Sequence, residues 1–174
     1  MRIFLNPGHA PNGVPDPGCT NYKCQAYEYE IAANVALMVE RMLTGSGYEV
    51  MTYQDDSLAA ITEAANDWGA DYFVSIHVND YVNHSVHGCE TYCFDTLSAG
   101  GDLAKSIQEK LVSQLKLVNR GVKEANYWVI RKTNMPAVLV EMGFINSSDI
   151  KILQTKQVEY AKAIYQGIVN CLEE

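Results

Sequence analysis

No run of about 18 apolar residues occurs anywhere in the 174-residue chain, so no segment is expected to span or insert into a membrane. Basic runs are missing as well. Thirteen Lys and Arg against 21 Asp and Glu leave a net charge of −8, which excludes the cationic surface that phosphate-rich partners require; no nucleic acid is expected. The first residues, Met1 to His9, are too short and too soon broken by Pro7-Gly8 to form a signal peptide. The protein is therefore expected to be made without one, or to start after it. No C-x-x-C pair is found among Cys19, Cys24, Cys89, Cys93 and Cys171, which argues against a thiolate metal site and a disulfide scaffold. Cys89 and Cys93 would lie on one strand face, too far apart to bridge; Cys19 with Cys24 is the one local pair to consider. Repeats, low-complexity tracts and linkers are lacking too, so residues 1–174 read as a single domain, expected to be a monomer.

What the chain does contain is an ordinary globular composition, 48% hydrophobic and 20% charged, patterned as alternating strands and helices. Arg2 to Asn6, Tyr48 to Tyr53, Asp71 to Val78, Gly88 to Asp95, Tyr127 to Arg131 and Ala137 to Phe144 read as strands. Helices are expected over Glu28 to Leu43, where Ile31, Val35, Met38, Val39 and Met42 recur at helical spacing. Further helices run from Ser57, a plausible N-cap, to Gly69, from Leu103 to Leu117, and from Val158 to Leu172. This order predicts an α/β three-layer sandwich: a mixed, mostly parallel sheet of about six strands flanked by helices.

In such folds chemistry gathers where strands end. His9 follows the first strand, His77 ends the most apolar one, and Glu141 lies near the end of another; polar groups leaving core strands need partners. Glu30 sits in the first turns of the first helix, with Asn34 one turn further along. Two imidazoles and one carboxylate would leave an open position on a tetrahedral metal. The separations between these residues satisfy no short ligand-spacing rule, so on spacing alone a hydrogen-bonded histidine and a solvated Glu30 are the simpler readings.

Four segments shift that weighing: Leu5-Asn6-Pro7-Gly8-His9, Glu30-Ile31-Ala32-Ala33-Asn34, Ser75-Ile76-His77-Val78-Asn79, and Arg120-Gly121-Val122-Lys123 continuing to Met135-Pro136-Ala137-Val138-Leu139-Val140-Glu141-Met142-Gly143-Phe144. In order and spacing they resemble the zinc-dependent N-acetylmuramoyl-L-alanine amidases of the amidase-3 type over nearly the full length. The resemblance implies one zinc ion held by His9, Glu30 and His77, with Glu141 as catalytic acid–base. Glu30 is preferred to Glu28 because the family's ligand lies four residues before its Asn, here Asn34. The implied substrate is peptidoglycan, cut between N-acetylmuramic acid and L-alanine, so the protein is expected to act on the cell wall as an autolysin or a phage lysin.

Several positions depart from the family pattern. Asn6 replaces an Asp, Asp16-Pro17-Gly18 stands further from His9 than usual, Cys19 replaces Ala, and Tyr53 and Ile61 stand where Arg is common. The Asn6 change is expected to alter the support of His9. His84 and His87 read as rim histidines rather than as an H-x-x-H metal pair. Asn79, Arg131 and Asn126 are candidate substrate contacts; Tyr127 and Trp128 would pack or stack on sugar. A zinc carboxypeptidase-like peptidase, with Arg131 gripping a substrate carboxylate, and a non-catalytic wall-binding module are the alternatives.

Overall fold

The computed structural model describes residues 1–173. Eight strands and six helices follow in the order β1 (Arg2–Pro7), β2 (Thr20–Asn21), β3 (Ala26–Tyr27), α1 (Glu28–Gly45), β4 (Glu49–Thr52), α2 (Leu58–Trp68), β5 (Tyr72–Asn79), β6 (Cys89–Cys93), α3 (Ala99–Leu115), β7 (Asn119–Glu124), α4 (Trp128–Arg131), β8 (Ala137–Phe144), α5 (Ile150–Thr155) and α6 (Gln157–Glu173). Six strands form one sheet in the order β4-β1-β5-β8-β6-β7, and β2 with β3 makes a separate two-stranded ribbon. Every pairing in the large sheet is parallel except β6 with β8. The expected three-layer α/β sandwich with a mixed six-stranded sheet is what forms.

Because side chains alternate along a strand, the sheet has two distinct faces. One carries Ile3, Leu5, Val74, Ile76, Val138 and Val140 and is covered by α1, α3 and α6, with Tyr160 fully buried among them. The other carries Phe4, Phe73 and Leu139 and is covered more thinly by α2 and α4 through Ile61, Ala65, Val129 and Ile130. Toward the strand C-termini this second face turns polar: Asn6 pairs with Ser75, and His77 and Glu90 both pair with Glu141. The thin layer leaves room there, whereas the thick one does not.

One strand falls elsewhere than expected. Tyr127 to Arg131 is not a strand but the short helix α4, and the sixth strand is β7, which contains Arg120-Gly121-Val122-Lys123. The polar residues of β7 hide it from a periodicity reading, since it lies at a sheet edge where one flank meets water. It also carries a bulge. While β6 advances from Cys89 to Thr91, β7 advances from Asn119 to Val122, and Gly121 takes φ +86°. The extra residue puts Arg120 and Lys123 on the same side of the sheet, where strict alternation would oppose them. Ser57 caps α2 as expected, accepting from Ala60 N at 3.2 Å, and Gly69 closes it at φ 68°.

Candidate active site

Three side chains converge at the C-terminal edge of the sheet: His9 after β1, Glu28 at the first turn of α1, and His77 on β5. One ligand atom from each lies within 4.8 Å of the others. Glu28 is almost fully buried, and each of its oxygens bridges two partners. Oε2 meets His9 Nε2 at 3.0 Å and accepts from Cys19 N at 2.8 Å. Oε1 meets His77 Nδ1 at 3.0 Å and accepts from Val78 N at 2.9 Å.

The expectation of Glu30 is therefore corrected: the carboxylate brought to the histidines is Glu28, and Glu30 is exposed. Helix geometry gives the reason. At 100° per residue, positions 28 and 30 point to nearly opposite sides of α1. Glu28 is in phase with the buried stripe of Ile31, Ala32, Val35 and Val39, while Glu30 is in phase with Asn34 and Leu37, both exposed. The apolar spacing of this helix therefore held the signal that picks Glu28.

The backbone makes the approach of these groups feasible. His9 itself sits at φ 66°, a strained setting for a side-chain-bearing residue that tends to mark functional positions. A Cβ on Gly8 would collide with the His77 ring, and one on Gly18, at φ +66°, would collide with His9 and Glu28. Both positions need glycine for the three side chains to close up.

Each histidine is oriented from behind. His9 Nδ1 faces Asp16 Oδ2 at 2.7 Å, and Asp16 is itself pinned by Gly18 N at 2.9 Å. His77 Nε2 faces Ser75 Oγ at 3.1 Å; the Ser75 hydroxyl donates to Asn6 Oδ1 at 2.8 Å. Asn6, expected to affect His9, instead stands behind His77. Although burial opposes it, the hydrogen bond and charge of Glu28, with Asp16 adding, raise the pKa of His9 from 6.5 to about 9. Burial likewise works against ionisation of Glu28, yet its bonds to His77 and His9 hold its carboxyl far below the usual range.

These features fit a divalent metal. With the outer nitrogens engaged by Asp16 and Ser75, the inner nitrogens and both Glu28 oxygens point at one another at 3.0 Å, an arrangement of acceptors satisfied only by protons or by a cation between them. Neutral imidazole and carboxylate are the donor set of an open catalytic site.

Glu141 stands beside this cluster, level with His77 in the β5–β8 register. Its Oε2 is buried and has no hydrogen-bond partner. Burial pushes its carboxyl well above the ordinary range, and the charges of Glu28 and Glu90 push the same way against His9. On its far side Glu90, also buried, accepts from Arg120 at 2.8 Å, Tyr92 at 2.7 Å, Asn79 at 3.1 Å and closely from Lys123. This hub was not anticipated; the alternation of Glu90 and Tyr92 with Cys89, Thr91 and Cys93 was the signal available.

A cavity of about 360 Å³ opens against His9 and His77, walled by Asp16, Asp56, Ile61 and Tyr127 with Trp128. Tyr127, 43% exposed, sits at the rim of this cavity and meets Tyr92 edge-on at 5.2 Å. Among the other expected contacts, Asn79 is tied to Glu90, and Asn126 is exposed on the loop before α4. Arg131 lies in a different cavity, with Ser98 and Asn134, its guanidinium 5.6 Å from the Trp128 ring centre. His84 and His87 are exposed and outside the metal cluster. Cys19 and Cys24 are both free thiols.

The Amidase_3 profile, described as N-acetylmuramoyl-L-alanine amidase, matches residues 3–170. The sporulation-specific N-acetylmuramoyl-L-alanine amidase of Bacillus subtilis is 34% identical over 183 residues, covering 100% of this chain and 68% of that protein. The amidase LytC of the same organism is 37% identical across 97% of this chain, which spans only 35% of its length. Among solved structures, the amidase AmiC2 of Nostoc punctiforme superposes with a TM-score of 0.91 at 28% identity, covering 100% of this chain and 98% of that one. The CwlD amidase of Clostridioides difficile, solved in complex with the GerS lipoprotein, gives 0.90 at 29% identity over 99% and 98%. With a profile match that runs almost from end to end and relatives alike in sequence and in shape, the chain belongs to the N-acetylmuramoyl-L-alanine amidase family.

Proposed function

We propose that the protein hydrolyses the amide joining N-acetylmuramic acid to L-alanine in peptidoglycan, using one zinc ion held by His9 Nε2, Glu28 and His77 Nδ1, with Glu141 as acid–base. The observation that carries this reading is the pairing of Glu141 with His77, which sets a buried, unpartnered carboxyl oxygen beside three converging metal-ligand atoms. Zinc held by these three residues would supply Lewis acidity toward the scissile carbonyl and the attacking water. Glu141 takes the proton of the attacking water and delivers it to the departing amine of L-alanine. Its apolar, acid-crowded surroundings suit it to hold that proton between the two steps. Tyr127 and Trp128, half-exposed at the cavity rim, offer flat apolar surfaces to a sugar ring.

The peptidase alternative loses its anchor, since Arg131 opens into another cavity. Mass spectrometry of digested peptidoglycan tests the assignment: free muramic lactyl carboxyls and L-alanine amines are expected, abolished by chelation and by Glu141→Gln. Stoichiometric zinc without any cleavage would overturn it in favour of a wall-binding module. The site of action is the cell wall, and no helix of the described residues is long and apolar enough to cross a membrane.

A further inference from the structure

Asn6 is only 1% exposed and uses its whole amide. Its Nδ2 donates to Tyr53 O at 3.0 Å and to Pro7 O at 3.1 Å. Two carbonyls can only accept, so they fix which end of the amide is nitrogen, and Oδ1 is left to accept from Ser75 at 2.8 Å. The Ser75 proton is committed to Asn6, and the lone pairs of Ser75 Oγ face His77 Nε2 at 3.1 Å. The ring nitrogen facing those lone pairs must carry the proton. Nδ1, on the opposite side and 3.0 Å from Glu28, is then the nitrogen whose lone pair can be given to a cation lying between it and the carboxylate.

We propose that Asn6 is a positioning residue for the metal centre, acting through Ser75 to hold the His77 proton on Nε2 and so keep Nδ1 open for the metal. Every hydrogen bond from the Tyr53 and Pro7 carbonyls to the ring runs in one direction, and reversing any member would leave two donors or two acceptors in contact. Ligand histidines in general depend on such a partner for tautomer and orientation; here the partner's own direction is set by a residue two bonds away from the ring. The inference rests on His77 being a metal ligand, as proposed above.

Three variants separate this role from simple packing. Asn6→Leu removes the acceptor, freeing the Ser75 hydroxyl to donate to Nε2 and favouring the wrong tautomer. Zinc affinity by chelator competition is expected to fall about 10–100-fold. Asn6→Asp keeps an acceptor for Ser75 but sets a carboxylate against two carbonyls. It is expected to lower the urea midpoint while leaving zinc affinity within a few-fold of the parent. Ser75→Ala, which needs no new bulk, is expected to match the affinity loss of Asn6→Leu. Long-range 1H–15N spectra of the zinc-loaded protein should place the His77 proton on Nε2. Unchanged zinc affinity in Asn6→Leu and Ser75→Ala, or a His77 proton on Nδ1, overturns the relay. Stoichiometric zinc binding with the expected variant pattern but no peptidoglycan cleavage would instead uphold the relay and overturn the proposed function.

Discussion

His77 and Glu141 are direct neighbours across the β5–β8 pairing, so the imidazole that meets Glu28 and the unpartnered carboxyl are fixed to one another by backbone hydrogen bonds rather than by a loop. In a site held this way, single substitutions are expected to report on one side chain at a time.

Glu141→Gln preserves shape and removes the proton carrier. Turnover of peptidoglycan is expected to drop by about 100–10,000-fold, with zinc content by elemental analysis unchanged. A variant that lost zinc as well as activity would show that Glu141 is a ligand instead.

Glu28→Gln and Glu30→Gln decide between the two carboxylates of α1. Glu28→Gln should weaken zinc binding by at least about 100-fold, because it removes an anionic ligand and leaves one amide group facing two rings. Glu30→Gln, on the exposed side of the helix, should bind zinc and cleave like the parent. Equal behaviour of the two in a chelator titration would sink the assignment of Glu28.

In the metal-free protein, stability should depend on pH on both sides of a plateau. Folding raises the pKa of His9 from 6.5 to about 9, so the stability it contributes is complete below pH 6.5 and drains away as pH rises through 9. Folding lowers that of Glu28 from 4.5, so its share is complete above pH 4.5 and is lost on acidification. Chemical denaturation should therefore give a maximum between about pH 4.5 and 6.5. Saturating zinc should flatten the alkaline limb, since zinc takes the place of the proton between His9 and Glu28.

Gly18→Ala adds one methyl group against His9 and Glu28 at a backbone setting that disfavours it. The melting temperature should fall by an amount corresponding to about 1–3 kcal/mol, and zinc should restore less of it than in the parent. Gly45→Ala, where an added Cβ meets nothing, is the control and should leave the site intact.

Removing Glu90 should cost stability more than its size suggests. Glu90→Gln leaves Arg120 and Lys123 side by side without their shared carboxylate. Because both cations are partly exposed, a loss of about 1–3 kcal/mol in urea unfolding is expected rather than the larger cost of a fully buried pair.

Much of this arrangement was legible in the chain itself. Apolar runs placed β1, β5 and β8, and strand ends marked His9, His77 and Glu141, because central strands buried on both faces are nearly continuous in their hydrophobicity. Glu28 was missed because a motif offset outweighed helical phase, although Ile31, Val35 and Val39 already defined the buried side. Tyr127 to Arg131 reads as a strand because Trp128, Val129 and Ile130 look like strand formers, and β7 carries no strand signal because an edge strand needs few apolar residues. The Asn6–Ser75 link joins residues far apart in sequence, and only the β1–β5 register brings them together.

The position of β8 has a consequence for biosynthesis. It is the last strand of the sheet to be made, yet it is inserted between β5 and β6, in the middle. A ribosome must therefore synthesise nearly the whole domain before Glu141 meets the histidines, and any fragment released before residue 137 lacks both the centre of its sheet and Glu141. Peptidoglycan cleavage that depends on Glu141 is therefore expected to be silent in nascent and truncated chains.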